Sequence, residues 1–150
     1  MKKKSKKEIF KGYASIVANG KLPEKKSKRI RPMFQTNGDP SEKAVQCECK
    51  GALKSVGAFC FTITAGKLYT FTGKLVTLAP IGTGDIVGML PGGKYIEVEC
   101  KHRNGGYLSP EQYDHGIDIV NKGGTYLVVC SGRELLFKLA ERKLIPSFDL

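Results

Sequence analysis

The run TYLVVC, residues 125–130, constrains the fold more than any other stretch of the chain. It is short, continuously apolar and rich in β-branched side chains, which suits a strand covered on both faces. Helix signals flank it. Upstream, LSPEQYDHGIDIVNKGG places Ser109 as a cap, Pro110 at the first helical position and Gln112 as the residue closing a capping box. Tyr113, Ile117 and Val120 then fall on one face, and Gly123 and Gly124 stop the helix. Downstream, SGRELLFKLAERKL opens on a second box, Ser131 to Glu134. A buried strand between two capped helices points to a layered α/β domain.

The same grammar appears earlier, in DPSEKAVQCECKGALKSVG. Asp39 is read as the cap, Pro40 as the first helical residue, Glu42 as the capping-box acid and Gly57 as the stop, with Val45, Cys49, Ala52, Leu53 and Val56 facing inward. AFCFTITAG and KLYTFTGKLVTLA follow, rich in β-branched and aromatic residues and broken by Gly66 and Gly73, and predict two or three strands. Phe59, Phe61, Tyr69 and Phe71 are read as strand and core residues rather than as a base-stacking platform. The predicted class is α/β, with a central mixed sheet flanked by helices in the order α-β-β-β-α-β-α over residues 40–150. Residues 1–39 are read as a basic arm and linker, partly disordered, with a short helix over residues 8–17.

Charge sets that arm apart. Of a formal net charge of +11, residues 1–31 carry 12 Lys and Arg against Glu8 and Glu24, which leaves 13 basic and 12 acidic residues for the rest. A near-neutral domain with a basic arm attracts polyanions through counterion release, without reading sequence. Lys25, Lys26, Lys28, Arg29 and Arg31 are the expected nucleic-acid contacts in the arm. No apolar run follows MKKKSKK and no stretch of about 20 apolar residues occurs, so neither an export signal nor a membrane span is expected. Five cysteines, an odd count, fit reduced thiols in a cytoplasmic protein. Cys47 and Cys49 with His102 or His115 lack the paired spacing of structural zinc sites, and core thiols are the preferred reading.

GDIVGMLPGGKYIEVECK, residues 84–101, reads as a β-hairpin that carries an aspartate, two glutamates and lysines. A three-residue loop, Pro91-Gly92-Gly93, keeps proline out of the ladder, pairs Leu90 with Lys94 and sets Asp85 opposite Glu99. A two-residue loop would pair Asp85 with Cys100 and turn it to the other face. The first register is preferred because it converges the charges, with Glu97, Glu99 and Lys101 on one face. Two carboxylates so close repel unless a cation lies between them or one holds a proton. Hard carboxylate oxygens suit Mg²⁺ or Mn²⁺, and a lysine one step along can orient water for phosphodiester hydrolysis.

These residues also carry a resemblance. GTGDIVGML followed by IEVECKHRNGGYLSPEQ resembles the VRR-NUC family of the PD-(D/E)xK nuclease superfamily, as does Glu42 in EKAVQ. The likeness spans residues 42–136, with Gly84 where the family has proline and Glu97 where it tends to be apolar. It implies a restriction-endonuclease-like core and metal-dependent cleavage of DNA, branched or structured substrates above all, by an enzyme that forms a homodimer. Asp85 and Glu99 would bind the metal with the Cys100 backbone carbonyl, and Glu42 would reach it from its helix directly or through water. Lys101 would assist the attacking water, and Gln112 is expected either as a cap or as a polar contact in the site. His102 and Arg103 are expected on the nucleic acid, and His115 at the surface or on the nucleic acid. The rival expectations are a non-catalytic nucleic-acid-binding module and an RNA-directed nuclease. The C-terminal IPSFDL is read either as a partner-docking peptide or as a plain tail.

Overall fold

The structure, a computed structural model, describes residues 27–146. Lys25, Lys26, the helix expected over residues 8–17 and the end of the IPSFDL tail lie outside the described residues. Among the described residues, eight strands and three helices follow one another as β1 (Lys28–Ile30), α1 (Glu42–Ser55), β2 (Phe59–Thr62), β3 (Lys67–Tyr69), β4 (Leu75–Thr77), β5 (Ile86–Leu90), β6 (Lys94–Cys100), β7 (Gly106–Leu108), α2 (Pro110–Asn121), β8 (Thr125–Val129) and α3 (Gly132–Glu141). The class is α/β. The central sheet runs β2-β5-β6-β8, antiparallel through the first two pairings and parallel at β6-β8. Counting only its strands and the three helices, the order is α-β-β-β-α-β-α.

Alternation along the strands decides what each layer buries. Ile86, Leu90, Ile96, Val98, Leu127 and Val129 meet Val45, Cys49 and Leu53 of α1 and Leu135 and Leu139 of α3 in the core. The thiols of Cys49 and Cys100 touch there. On the other face, α2 packs over β8, with Ile117 buried and Tyr113 and Val120 partly so. All five residues of β8 are buried, as expected for a strand sandwiched between helices.

Three expectations are corrected. The α1 cap is Ser41, whose hydroxyl accepts from the Ala44 amide, while Asp39 accepts from the Ser41 amide. Pro40 and Glu42 are therefore displaced from their expected capping roles, and Glu42 is the first helical residue with an exposed side chain. Lys28–Ile30, read as linker, form a strand against β7 because the following segment is strapped down. Phe34 stacks edge-on against Phe137 at 5.4 Å, and Arg103 holds Thr36 and the Asp39 carbonyl. Finally, Phe59, Phe61, Tyr69 and Phe71 are exposed, Phe71 completely. β3 and β4 form a separate ribbon, and Phe59 and Phe61 alternate with Cys60, which turns toward α1 and leaves the rings on the opposite sheet face.

Candidate functional site

The hairpin loop is Pro91-Gly92-Gly93. Leu90 pairs with Lys94, Val87 with Glu97 and Ile86 with Val98, so the register carried one step further sets Asp85 opposite Glu99. The carboxylate of Asp85 reaches the end of β6, where Oδ2 accepts from the Cys100 amide at 2.8 Å. The Lys101 amide donates the other way, to Val129 of β8. In a trans peptide the C=O points opposite the N–H, so the Cys100 carbonyl is turned toward the β5 side, where Asp85 lies.

Glu99 and Lys101 share the strand face, and both are nearly fully buried. Lys101 Nζ donates to Glu99 Oε1 at 2.8 Å and to Gln112 Oε1 at 3.1 Å. Gln112 Nε2 donates to the same Glu99 oxygen at 2.6 Å, while Gln112 Oε1 also accepts from the Ser109 amide at 3.0 Å. Gln112 is thus both the capping-box residue of α2 and a site contact, because the first turn of that helix is aimed at β6. Both Glu99 bonds fall on Oε1, leaving Oε2 for a cation.

Electrostatics mark the pair. Burial is the main force raising the Glu99 carboxyl to about 7, the Asp85 charge adds to it, and Lys101 opposes both. Asp85 is raised as well, chiefly by burial, against the Cys100 N–H and the Lys101 charge. Glu42 raises both, so its charge is felt at the site although its side chain is exposed. A cation between the carboxylates would offset what opposes their ionisation. Among the described residues no three or more His, Cys, Asp and Glu side chains gather into a metal cage. Two carboxylates and a carbonyl nonetheless fit Mg²⁺ or Mn²⁺, since Mg²⁺ usually keeps several waters and binds through one or two carboxylates plus substrate phosphates. A cavity of about 540 Å³ opens over Asp85, Glu99 and Gln112, walled by Thr62, Thr64 and Gly66 on one side and Gly82 and Thr83 on the other.

Glu97 answers why a third acid lies in this row. Fully buried, it accepts from the Gly84 amide at 2.9 Å and from the Tyr95 hydroxyl at 2.7 Å, and its Oε2 lies 2.9 Å from His115 Nε2. The Gly84 amide is the group that a proline would lack. A Cβ on Gly84 would stand 2.9 Å from the Val98 carbonyl oxygen, so glycine is required and its N–H then needs an acceptor. Glu97 supplies it and fixes the backbone immediately before Asp85. Gly82, at φ +93°, lies so close to α2 that a Cβ would sit 2.4 Å from the Glu111 carbonyl oxygen. The spacing of Glu97 from Glu99 showed that both face one side, but the role of Glu97 depends on the turn that meets it.

Arg103, expected on the nucleic acid, and His115, expected at the surface or on the nucleic acid, are both turned inward. Arg103 is buried, its guanidinium bonded to Glu48 at 2.7 Å, to Thr36 at 2.8 Å and to the Asp39 carbonyl at 3.1 Å, so it clasps the β1–α1 segment instead. His115 is held between Glu97 and the Tyr126 ring. His102 is half-buried, with Nδ1 accepting from the Asn104 amide. Lys28 is half-buried, while Arg29 and Arg31 are exposed, Arg29 paired across the ribbon with exposed Tyr107. This basic edge adjoins β7, which leads directly into Ser109 at the cavity wall. Compared with protein-family models, curated proteins and solved structures, the chain matches none of them.

Proposed function

We propose that the protein is a metal-dependent endonuclease that hydrolyses phosphodiester bonds in DNA, on a restriction-endonuclease-like core. The observation that carries this reading is the convergence of Asp85, Glu99 and Gln112 on one cavity, with Lys101 bonded to both Glu99 and Gln112 and Glu99 raised to about 7. Buried acids opposing one another beside a buried lysine are costly to stability, and such clusters concentrate where chemistry needs them. The α-β-β-β-α-β-α order supports the same core.

A Mg²⁺ or Mn²⁺ ion held by Asp85, Glu99 and the Cys100 carbonyl would neutralise the two carboxylates and polarise the phosphate. Lys101, fixed by two acceptors, orients the attacking water and balances charge that builds on the phosphate oxygens. Gln112 keeps Lys101 and Glu99 in register, and Glu42 adds negative charge from α1, through water or directly. Arg29, Arg31 and the basic residues 1–26 hold the phosphate backbone. Branched DNA is the proposed substrate. A homodimer would set two such sites across a branch, and Phe59, Phe61 and Met89, exposed on one sheet face, supply an apolar surface for it. No helix among the described residues is long and apolar enough to cross a membrane, and the proposed place of action is the cytoplasm.

Cleavage of a labelled four-way junction beside duplex and single strands, in EDTA, Mg²⁺ or Mn²⁺, tests the reading. Asp85→Ala, Glu99→Ala and Lys101→Ala should each lower cutting at least about 100-fold, on the scale of losing one transition-state contact, with the fold intact. Binding without cutting in any metal, equal in parent and variants, would leave a nucleic-acid-binding module.

A further inference from the structure

The β3–β4 ribbon is the part of the chain that the cleavage chemistry does not use. It grows from the wall of the cavity: Thr64 and Gly66 lie at its base beside Asp85 and Glu99. Its strands pair Lys67 with Thr77, Leu68 with Val76 and Tyr69 with Leu75. The tip is held by its own bonds. The Thr70 amide donates to the Lys74 carbonyl at 2.9 Å, the Gly73 amide donates to the Thr70 carbonyl at 2.8 Å, and the Lys74 amide donates to the Thr70 hydroxyl at 3.1 Å. Phe71 projects from this turn with its ring fully in solvent, and Tyr69 is 72% exposed. An ordered tip that presents an uncovered aromatic ring is a surface awaiting a flat apolar partner.

The charge pattern says which partner. From residue 63 to residue 84 the chain holds Lys67 and Lys74 and no acidic residue. A ring flanked by cations beside a phosphodiester-cleaving site matches a nucleobase on a phosphate backbone, where base and aromatic faces stack whatever the sequence. We infer that Phe71, backed by Tyr69, stacks on an unpaired base of the DNA strand held in the cavity, so that the ribbon recognises branch points where bases have left the helix. This rests on the nuclease reading and names what its substrate must offer. The five residue steps from Gly66 to Phe71 span about 16 Å at roughly 3.3 Å each, a reach of about five nucleotide steps of ~3.4 Å. The stacked base therefore lies within about five nucleotides of the cut.

Splayed duplexes with 2-aminopurine at successive positions from the branch, titrated with the full chain in EDTA, read stacking without cutting. The parent should quench the probe at one or two positions. Phe71→Ala should lose that quenching and bind the splayed duplex at least about fivefold more weakly, with blunt duplex little affected, and Phe71→Trp should restore both. Glu99→Gln should abolish cutting in Mg²⁺ while keeping the quenching, so a failed nuclease reading is told apart from a failed stacking one. Unchanged affinity and quenching in Phe71→Ala would overturn the inference. So would an equal loss on blunt duplex, or a variant that leaves DNA binding intact but loses self-association or binding to anionic vesicles, which would assign the tip to a protein or a lipid.

Discussion

Replacing Glu99 by glutamine removes a titration whose size the site itself sets. The carboxyl sits at about 7 against an ordinary 4.5, first because it is buried and second because Asp85 faces it. Between those values the folded chain holds a proton that the unfolded chain has released. Stability therefore falls as pH rises through this window, and the full penalty is present above about 7. At about 1.4 kcal/mol per pH unit, the interval from 4.5 to about 7 amounts to about 3 kcal/mol. Glutamine does not titrate and keeps an oxygen for Lys101 and Gln112. Whatever fixed offset the substitution brings, the variant should gain about 3 kcal/mol on its parent between about pH 4.5 and about pH 8. Urea unfolding of both proteins in EDTA across that range measures the gain, and parallel stability profiles would refute it. Mg²⁺ at about pH 8 should then stabilise the parent more than the variant, because binding to the folded state alone adds stability.

Glu97→Ala strips the acceptor from the Gly84 amide, the Tyr95 hydroxyl and His115. Thermal melts should show a loss of about 2–4 kcal/mol, the scale of one or two buried polar groups left unpaired. Junction cutting should fall further than the stability loss explains, and full activity would separate Glu97 from the placing of Asp85. Glu134 accepts from Lys138 at 2.5 Å, from the Cys130 amide at 3.1 Å and from the Met33 amide at 3.4 Å, all away from the cavity. Glu134→Ala should cost about 3–5 kcal/mol in urea unfolding, whereas a loss under about 1 kcal/mol would mean the pair adds little beyond a surface contact. Removing residues 1–26 should weaken DNA binding and flatten its salt dependence by about 0.9 per lost phosphate contact, and an unchanged slope would place the contact elsewhere.

Much of the candidate site's geometry was legible because it is local. Pro91-Gly92-Gly93 determines the hairpin register, the alternation of side chains sets Glu97, Glu99 and Lys101 on one face, and Ser109 to Gln112 determines where α2 starts. The apolar run of β8 between two helix starts already required a strand buried in an α/β layer. What needed the tertiary structure was every question of what lies opposite. Arg103 turns inward because α1 and the strapped segment before it bring Glu48, Thr36 and Asp39 to its guanidinium. Gln112 serves helix and site together because α2 starts against β6. Phe59, Phe61, Tyr69 and Phe71 look like core in composition, yet a ring is buried only if another layer covers it. Alternation aims Phe59 and Phe61 away from α1, and Tyr69 and Phe71 ride a separate ribbon. Turns and caps are decided by hydrogen bonds within a few residues, which a sequence displays directly. Burial and the pKa of Glu99 depend on groups brought together from distant parts of the chain, and only the folded chain decides those.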